Sequence, residues 1–305
     1  MSKKIKMSVP MFTFEECFER FLLNRRAKGL SDKSLSTYAG HFKAICKYYL
    51  PADTEIDLLK NSDLDEMVSK MRNSGRLSTN SINSYTRTLK TFFTWCNEEN
   101  ITNVNIKIYK TEETVKDTYT DAELRRLLKK PDMRKCSFAE YRTWVMINLL
   151  LNSGMRAATL RNILIKDLLL DRRIIVYRHN KNKTIQTCPL CSEMIVILKE
   201  YLKVRRGSEN DYLFPCEGDT GFTENGLRLA IVRYNKRRGV QKTSIHLFRH
   251  TFAERFLKSG GSPFELQKIL GHSTLEMTKH YCRIYDFDLV KNFDNVSPLA
   301  NFSKK

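Results

Sequence analysis

Residues 244 to 272 read Ser244-Ile-His-Leu-Phe-Arg-His-Thr-Phe-Ala-Glu-Arg-Phe-Leu-Lys-Ser-Gly-Gly261, followed by Ser262-Pro-Phe-Glu-Leu-Gln-Lys-Ile-Leu-Gly-His272. The first part predicts a helix that starts near Ser244 and ends at the glycine pair, because its phenylalanines recur every four residues. The second part predicts another helix, which begins with proline in its first turn and ends at Gly271. Closely spaced helix ends of this kind bring separate elements together at one point.

The same stretch carries the polar groups that a reactive site would need. His246 and Arg249 are three residues apart on the predicted helix and therefore share one face. His272 follows the end of the next helix. Tyr281 lies nine residues further on, in a helix whose start is marked by Ser273 and Glu276. These residues together offer two imidazoles, a guanidinium and a phenol.

A second arginine stands far upstream, in Gly154-Met-Arg156, directly after the apolar run Trp144-Val-Met-Ile-Asn-Leu-Leu-Leu. The apolar context predicts that Arg156 is largely removed from water. A buried cation is costly unless it has an anionic partner in the protein or in a ligand. Arg156 and Arg249 are therefore candidates for binding an anion.

Breaking a phosphodiester requires charge stabilisation at phosphorus, a nucleophile and a proton for the departing alkoxide. The two arginines suit the first task, since planar guanidinium groups match phosphate oxygens and stay charged. Tyr281 suits the second, although deprotonating a phenol at pH 7 costs about 4 kcal/mol and needs a base and nearby cations. Lys181, which lies in a predicted polar turn, is our candidate for the acid that protonates the departing alkoxide. The set predicts DNA strand transfer without metal or cofactor.

A zinc site is the competing interpretation of His246 and His250, which are four residues apart. Such a site needs a third ligand and usually a glutamate beside the first histidine, where this chain has Leu247. Cys188-Pro-Leu-Cys191 is the only CxxC motif and has no second pair nearby, so we interpret it as the end of a strand. We expect His250 and His280 to be ordinary core or surface histidines.

The composition narrows the class of partner. Lys and Arg number 53 against 34 Asp and Glu, a formal net charge of +19, which points to a polyanion such as double-stranded DNA. No apolar run approaches the roughly 20 residues of a membrane span, and the amino terminus lacks the apolar core of a secretory signal. The eight cysteines are scattered as in reduced proteins. We therefore expect a cytoplasmic protein with no membrane partner.

The chain is long enough for two domains, and the fold class that we predict is mostly α. Four helical runs are expected between residue 12 and about residue 100, beginning near Thr13, Ser31, Ser62 or Asp63, and Ser78. After a polar stretch, helices resume at Thr120, except that residues 171–189 read as two strands around a polar turn with Lys181 and Lys183. The predicted division is a helical bundle at 1–102, a linker at 103–119, a mainly helical catalytic domain with a small antiparallel β-sheet at 120–285, and a tail at 286–305.

These residues, in this order and spacing, resemble the tyrosine recombinases, also called the phage integrase family. Gly154-Met-Arg156 is similar to the first arginine box of the family, and His246-Leu-Phe-Arg249-His250 to its HxxR box. Leu270-Gly271-His272 is similar to the third-histidine box, and Tyr281 stands in the position of the nucleophile. The turn lysine of the family aligns best with Lys181 and less well with Lys183. The bundle resembles the core-binding domain of the SAM-like type.

The resemblance implies a site-specific DNA recombinase that forms a 3′-phosphotyrosine and a free 5′-hydroxyl, with neither ATP nor metal. Arg156 and Arg249 would hold the phosphate with help from His272, Lys181 would protonate the leaving hydroxyl, and His246 would serve the phenol as base or acid. One position departs from the family pattern: Thr159 stands where a Glu or Asp is common, three residues after the first arginine. This departure puts the orienting role of that carboxylate in question.

The tail has an apolar face of Leu289, Val290, Phe293 and Val296. It can dock on its own domain or, as the family suggests, on a neighbour in a homotetramer that assembles on paired recombination sites. Two other functions stay open: a type IB topoisomerase, which relaxes DNA with the same chemistry, and a DNA-binding regulator that has lost activity. The presence of every catalytic residue type argues against the regulator.

Overall fold

A computed structural model describes residues 12–108, 117–177 and 186–282 of the chain. The fold is mostly helical with one small antiparallel sheet, as predicted. The chain divides into two compact units, Met1–Thr114 and Val115–Lys305, which we describe separately. Within the described ranges, every helix is too short or too polar to cross a membrane.

The first unit is a bundle of four helices. They are α1 Phe14–Ala27, α2 Asp32–Tyr48, α3 Asn61–Asn73 and α4 Thr79–Glu98. Three of the predicted helix starts are confirmed, since Thr13, Ser31 and Ser78 each cap a helix with the side-chain oxygen. The third helix begins one or two residues earlier than predicted, at Asn61, and Asp63 instead accepts a hydrogen bond from the backbone of Lys60.

Aromatic rings fill the core of the bundle. Phe14 and Phe18 of α1 contact Phe92 of α4 at ring-centroid distances of 5.5 and 5.2 Å, in the tilted and edge-on arrangements that aromatic pairs prefer. Val104 and Ile106, which fall in the predicted linker, are also buried in this core. Both residues alternate with the polar residues Asn103, Asn105 and Lys107, a short period-two signal that the prediction of a polar linker did not use.

The second unit is larger and holds the remaining elements. Its helices are α5 Asp121–Leu128, α6 Phe138–Ser153, α7 Ala157–Asn162, α8 Ser192–Arg205, α9 Glu224–Arg237, α10 Ile245–Lys258, α11 Pro263–Leu270 and α12 Glu276–Cys282. Its strands are β1 Leu168–Leu169, β2 Ile174–Tyr177 and β3 Gln186–Pro189. The β2 and β3 strands are those predicted from the sequence, and they pair antiparallel with Ile175 opposite Cys188.

The β1 strand was not predicted, because two residues are too few to show an alternating pattern. It pairs with β2 on the side away from β3, which gives the sheet the order β1-β2-β3. The turn between β2 and β3, which carries Lys181 and Lys183, lies outside the described residues.

Helix α6 is the centre of the second unit. Ten of its 16 residues are buried, which fits a helix that is apolar around most of its circumference. It ends at Gly154, whose φ of 58° is left-handed and whose position lies against α10 and α11. A Cβ at this position would approach Phe252 Cδ1 to 2.5 Å and Leu270 Cδ2 to 2.7 Å. Only glycine therefore allows the three helices to meet here.

We expect Gly154→Ala to lower the free energy of unfolding of the second unit by about 3 kcal/mol, the sum of left-handed strain and overpacking. Gly260→Ala is the matched control, since Gly260 has φ of 89° but no atom lies within 4 Å of the place that a Cβ would take. It should cost only about 1 kcal/mol. Urea unfolding followed by Trp144 fluorescence in a Trp95→Phe background measures the second unit alone. Equal losses in the two variants would contradict the packing argument.

Candidate active site

A cleft of about 240 Å³ lies where α6, α10, α11 and α12 meet. Its lining consists of Arg156, His246, Arg249, His250, His272, Met277 and Tyr281. The fold thus brings together five of the six residues that the sequence singled out. The sixth, Lys181, and its alternative Lys183 lie outside the described residues.

Helix α10 supplies three of these side chains. Its first turn begins at Ile245, and Phe248 packs into the main core of the unit, which turns Arg249 toward the ends of α6 and α11. Arg249 is only 7% exposed. Its Nη1 donates to the Gly154 carbonyl at 2.8 Å, and its Nη2 donates to the Leu270 carbonyl at 3.0 Å. The guanidinium is therefore fixed by backbone groups rather than by a carboxylate.

Both carbonyls belong to helix ends. Gly154 is the C-cap of α6, and Leu270 is the last residue of α11, which Gly271 ends with φ of 62°. Carbonyl groups at helix C-termini lack partners within the helix and carry partial negative charge, which favours nearby cations. Arg156 uses the same feature, since it donates to Leu270 and Gly271 carbonyls at 3.5 Å each. Two converging helix ends thus hold two arginines side by side.

The α11 end is itself tied to the sheet. Gln186, the first residue of β3, donates from Nε2 to the carbonyls of Lys268 and Ile269 at 2.9 and 2.6 Å. A Cβ on Gly271 would meet the Gln186 side chain at 2.3 Å. The β3 strand, which begins directly after residues 178–185, is therefore anchored against the helix end that holds both arginines.

The cleft is strongly cationic. Within the part of the chain that the structure describes, its lining contains no carboxylate. Burial, together with the neighbouring Arg156 charge, lowers the pKa of Arg249 to about 10. Arg249 still carries its charge at neutral pH, so two buried or half-buried cations face the cleft without a protein anion in its lining. A phosphate group complements the two guanidinium groups, because it is negatively charged and offers pairs of oxygen atoms as hydrogen-bond acceptors.

His272 is held in a single tautomer. Arg249 Nη2 lies 2.8 Å from His272 Nε2, and because a guanidinium only donates, Nε2 must be the acceptor. The ring proton then sits on Nδ1, which donates to Thr278 Oγ1 at 2.9 Å. Thr278 is fully buried on α12. The hydroxyl of Thr278 therefore orients the imidazole of His272 toward Arg249.

Tyr281 lies on α12 and is 6% exposed. Its Oη is joined by a hydrogen bond of 2.8 Å to His250 Nδ1, and its ring stacks on that of His272 at 6.4 Å with an interplanar angle of 5°. Burial raises the pKa of Tyr281, while the charges of Arg249 and Arg156 act to lower it. The phenol is consequently protonated at neutral pH and would need a proton acceptor before it could attack phosphorus.

The imidazole that contacts the phenol is that of His250, to which the sequence analysis gave no chemical role. His246 lies at the exposed rim of the same cleft. The sequence held two signals for His250. One is its spacing of four residues from His246, which suggested a zinc pair, and the other is its place directly after Arg249 in the stretch similar to the HxxR box. Among the described residues, no three His, Cys, Asp or Glu side chains are grouped to hold a metal ion.

Thr159 lies on α7, three residues after Arg156, and is buried at 7% exposure. It is not part of the cleft lining. Thr159 is a neutral side chain, so the position at which the resemblance led us to look for an acid adds no negative charge beside Arg156.

Comparison with known proteins covers both units. Residues 118–286 match the phage integrase family, and residues 17–103 match the phage integrase N-terminal SAM-like domain. A tyrosine recombinase of Pseudothermotoga lettingae is 26% identical over 289 residues, which cover 92% of this chain and 96% of that protein.

Solved structures share the fold. The Tn1549 transposon integrase in complex with a circular intermediate DNA matches with a TM-score of 0.74 at 22% identity, covering 89% of this chain and 95% of that one. A lambda integrase tetramer bound to a Holliday junction matches with a TM-score of 0.71 at 17% identity, covering 90% and 78%.

Proposed function

This chain belongs to the phage integrase family and is a tyrosine site-specific DNA recombinase, and we propose that Tyr281 is the nucleophile with which it cuts and rejoins DNA. The observation that carries the proposal is the cleft itself. A buried phenol stands beside two guanidinium groups that are anchored by carbonyls, in a lining without carboxylates. This combination suits a phosphodiester and suits neither a metal ion nor an uncharged ligand.

In the proposed reaction the scissile phosphate takes the place between Arg156 and Arg249, which stabilise the charge that develops on its oxygens. Tyr281 Oη forms a bond to phosphorus as the bond to the 5′ oxygen breaks, which leaves a 3′-phosphotyrosine. The departing oxygen takes a proton, and Lys181 is our candidate for its source. Attack by a 5′-hydroxyl from a second duplex reverses these steps. It needs no external energy, because the phosphotyrosine ester conserves the energy of the phosphodiester bond that was broken.

The proposed partner is a pair of double-stranded recombination sites. The formal charge of +19 favours a polyanion, and the bundle of α1 to α4 is our candidate for a core-binding domain. Lambda integrase forms a tetramer on a Holliday junction. We propose the same assembly here, with the apolar face of residues 286–305 docked on a neighbouring subunit. We also propose that the reaction takes place in the cytoplasm.

The proposed chemistry is tested by trapping the intermediate. The full chain is incubated with duplexes from the DNA that flanks its gene. Each duplex is nicked near a candidate site, so that cleavage releases a short fragment with a free 5′-hydroxyl, which diffuses away and cannot reverse the reaction. We expect a covalent adduct whose digestion yields a peptide with a nucleotide on Tyr281, attached through its 3′ phosphate. EDTA should leave the yield unchanged. An adduct at another residue, or loss of the adduct with EDTA, would overturn the proposal.

The His272 geometry yields a separate prediction. We expect Thr278→Val to reduce the single-turnover cleavage rate by roughly tenfold, because the isosteric methyl cannot accept the Nδ1 proton and His272 loses its fixed orientation. Thr278→Ser keeps the hydroxyl and should stay within about threefold of the wild-type rate. Proton NMR should show faster solvent exchange of the His272 Nδ1 proton in the valine variant only, since that proton loses its acceptor. Unchanged exchange in the valine variant would contradict the positioning role.

A further inference from the structure

We infer that His250 is a catalytic residue that accepts the proton of Tyr281 as the phenol attacks phosphorus. The inference rests on the proposed function, since it assumes that Tyr281 is the nucleophile. It assigns to His250 the step that the sequence analysis gave to His246.

The contact satisfies the distance that general-base catalysis requires. His250 Nδ1 and Tyr281 Oη are 2.8 Å apart, within the range of about 2.6–3.2 Å over which a proton can pass between a nucleophile and its base. His250 is half-buried on α10, one residue after Arg249, so its backbone is fixed by the same helix that anchors the guanidinium. The acceptor and the phosphate clamp therefore keep a constant relation to each other.

The surroundings favour transfer to His250. Among the described residues, the titratable and charged groups that line the cleft with it are Tyr281 of α12, His272 before α12, Arg156 before α7, and His246 and Arg249 of α10. Arginine cannot accept a proton at neutral pH. His272 Nε2 already accepts from Arg249, and its Nδ1 is engaged with Thr278. His250 is thus the imidazole with a ring nitrogen directed at the phenol oxygen.

The proton balance is complete within the protein and the DNA. The O–H bond of Tyr281 breaks, and its proton passes to His250 Nδ1, while the electron pair on Oη forms the bond to phosphorus. The bond from phosphorus to the 5′ oxygen breaks, and that oxygen takes both electrons and a proton from the acid, for which Lys181 is the candidate. When a 5′-hydroxyl attacks the phosphotyrosine, its proton returns to the group that served as the acid, and the bond from phosphorus to Oη breaks as the new bond to the 5′ oxygen forms. The imidazolium then returns its proton to Oη. No oxidant, metal or nucleotide is needed.

Two substitutions separate proton transfer from simple positioning. His250→Asn places an amide oxygen close to the position of Nδ1, where it can still accept a hydrogen bond from the phenol but cannot take the proton. His250→Phe removes both functions. We expect single-turnover cleavage of the nicked duplex to fall about 100-fold or more in both variants, which is the usual contribution of a general base. If His250 only positions Tyr281, the asparagine variant should stay close to the wild-type rate, and the inference fails.

The pH profile identifies which histidine acts. A base must be neutral, so the wild-type rate should fall as the pH drops through the range of about 5 to 8 in which imidazoles titrate. This decline should disappear in His250→Asn and persist in His246→Asn, whose imidazole lies at the rim of the same cleft. Disappearance in the His246 variant instead would assign the base to His246 and overturn the inference.

A modified substrate distinguishes the base from the acid. Sulfur in place of the bridging 5′ oxygen leaves as a thiolate, which needs no proton, because thiols have a pKa near 8.5. This substrate should restore cleavage to Lys181→Ala but not to His250→Asn; rescue of both would overturn the inference. The failures are distinguishable: wild-type protein without an adduct at Tyr281 would refute the proposed function. A normal adduct with a fully active His250→Asn would refute only the role of His250.

Discussion

Replacing Tyr281 with phenylalanine should abolish the covalent adduct between the protein and a nicked duplex, while the variant binds the same DNA with an affinity within about threefold of wild type. The substitution removes one oxygen and leaves a ring of the same shape in its buried place on α12. Loss of one hydrogen bond costs only about 1 kcal/mol of stability. The fold should therefore survive, and the chemistry should not, because the oxygen that bonds to phosphorus is gone.

The readout is a band of reduced mobility on a denaturing gel, which only a covalent complex survives. Tyr234→Phe is the matched control, since Tyr234 is equally buried and its hydroxyl donates to the Leu127 carbonyl at 2.9 Å, away from the cleft. This variant should form the adduct at nearly the wild-type rate. An adduct that persists in Tyr281→Phe would mean that another side chain attacks the DNA.

The second large effect should come from Arg249→Lys, which we expect to lower the cleavage rate by a factor of about 10² to 10³ while the charge is kept. Arg249 donates at once to the carbonyls of Gly154 and Leu270 and to the His272 ring. A guanidinium has five N–H groups and keeps two for a phosphate after these three bonds, whereas a lysine ammonium has only three and cannot hold the same acceptors and a phosphate at once. The loss would thus come from geometry and not from charge.

Arg255→Lys is the control for this variant. Arg255 lies on the same helix but is exposed, and it pairs with Asp121 on the surface. Exposed ion pairs of this kind contribute little to the stability of the fold, so the control should cleave DNA at a rate within about twofold of wild type. Urea unfolding followed by Trp144 fluorescence should show that both variants are folded under assay conditions. A cleavage rate within threefold of wild type for Arg249→Lys would contradict the proposed clamp.

The helices around the site could be predicted from local signals. Ser244, the Gly260-Gly261 pair, the capping box of Ser262 with Glu265, and Gly271 all act within one or two turns of chain, so the bounds of α10 and α11 follow from the sequence. We expected one site to contain Arg156, Arg249, His272 and Tyr281, because these residue types together can cleave a phosphodiester. Their placement in one cleft agrees with that expectation.

The role of His250 could not be predicted in the same way. Its contact with Tyr281 depends on how α12 packs against α10, which is a tertiary relation that no spacing within either helix encodes. The same holds for the carbonyl anchors of Arg249, since the backbone atoms at the ends of α6 and α11 carry no residue-type signal. Lys181 lies outside the described residues, so its part in the reaction stays a prediction.

The hydrogen bond between His250 and Tyr281 joins two side chains of the same polypeptide, and both arginines of the cleft belong to that polypeptide as well. We therefore expect each subunit to supply its own Tyr281, His250 and arginines for the incision that it makes. A mixture of Tyr281→Phe and Arg249→Lys subunits would then contain no subunit with a complete set. It should cleave DNA no faster than Arg249→Lys alone, whatever the order of the subunits in the assembly.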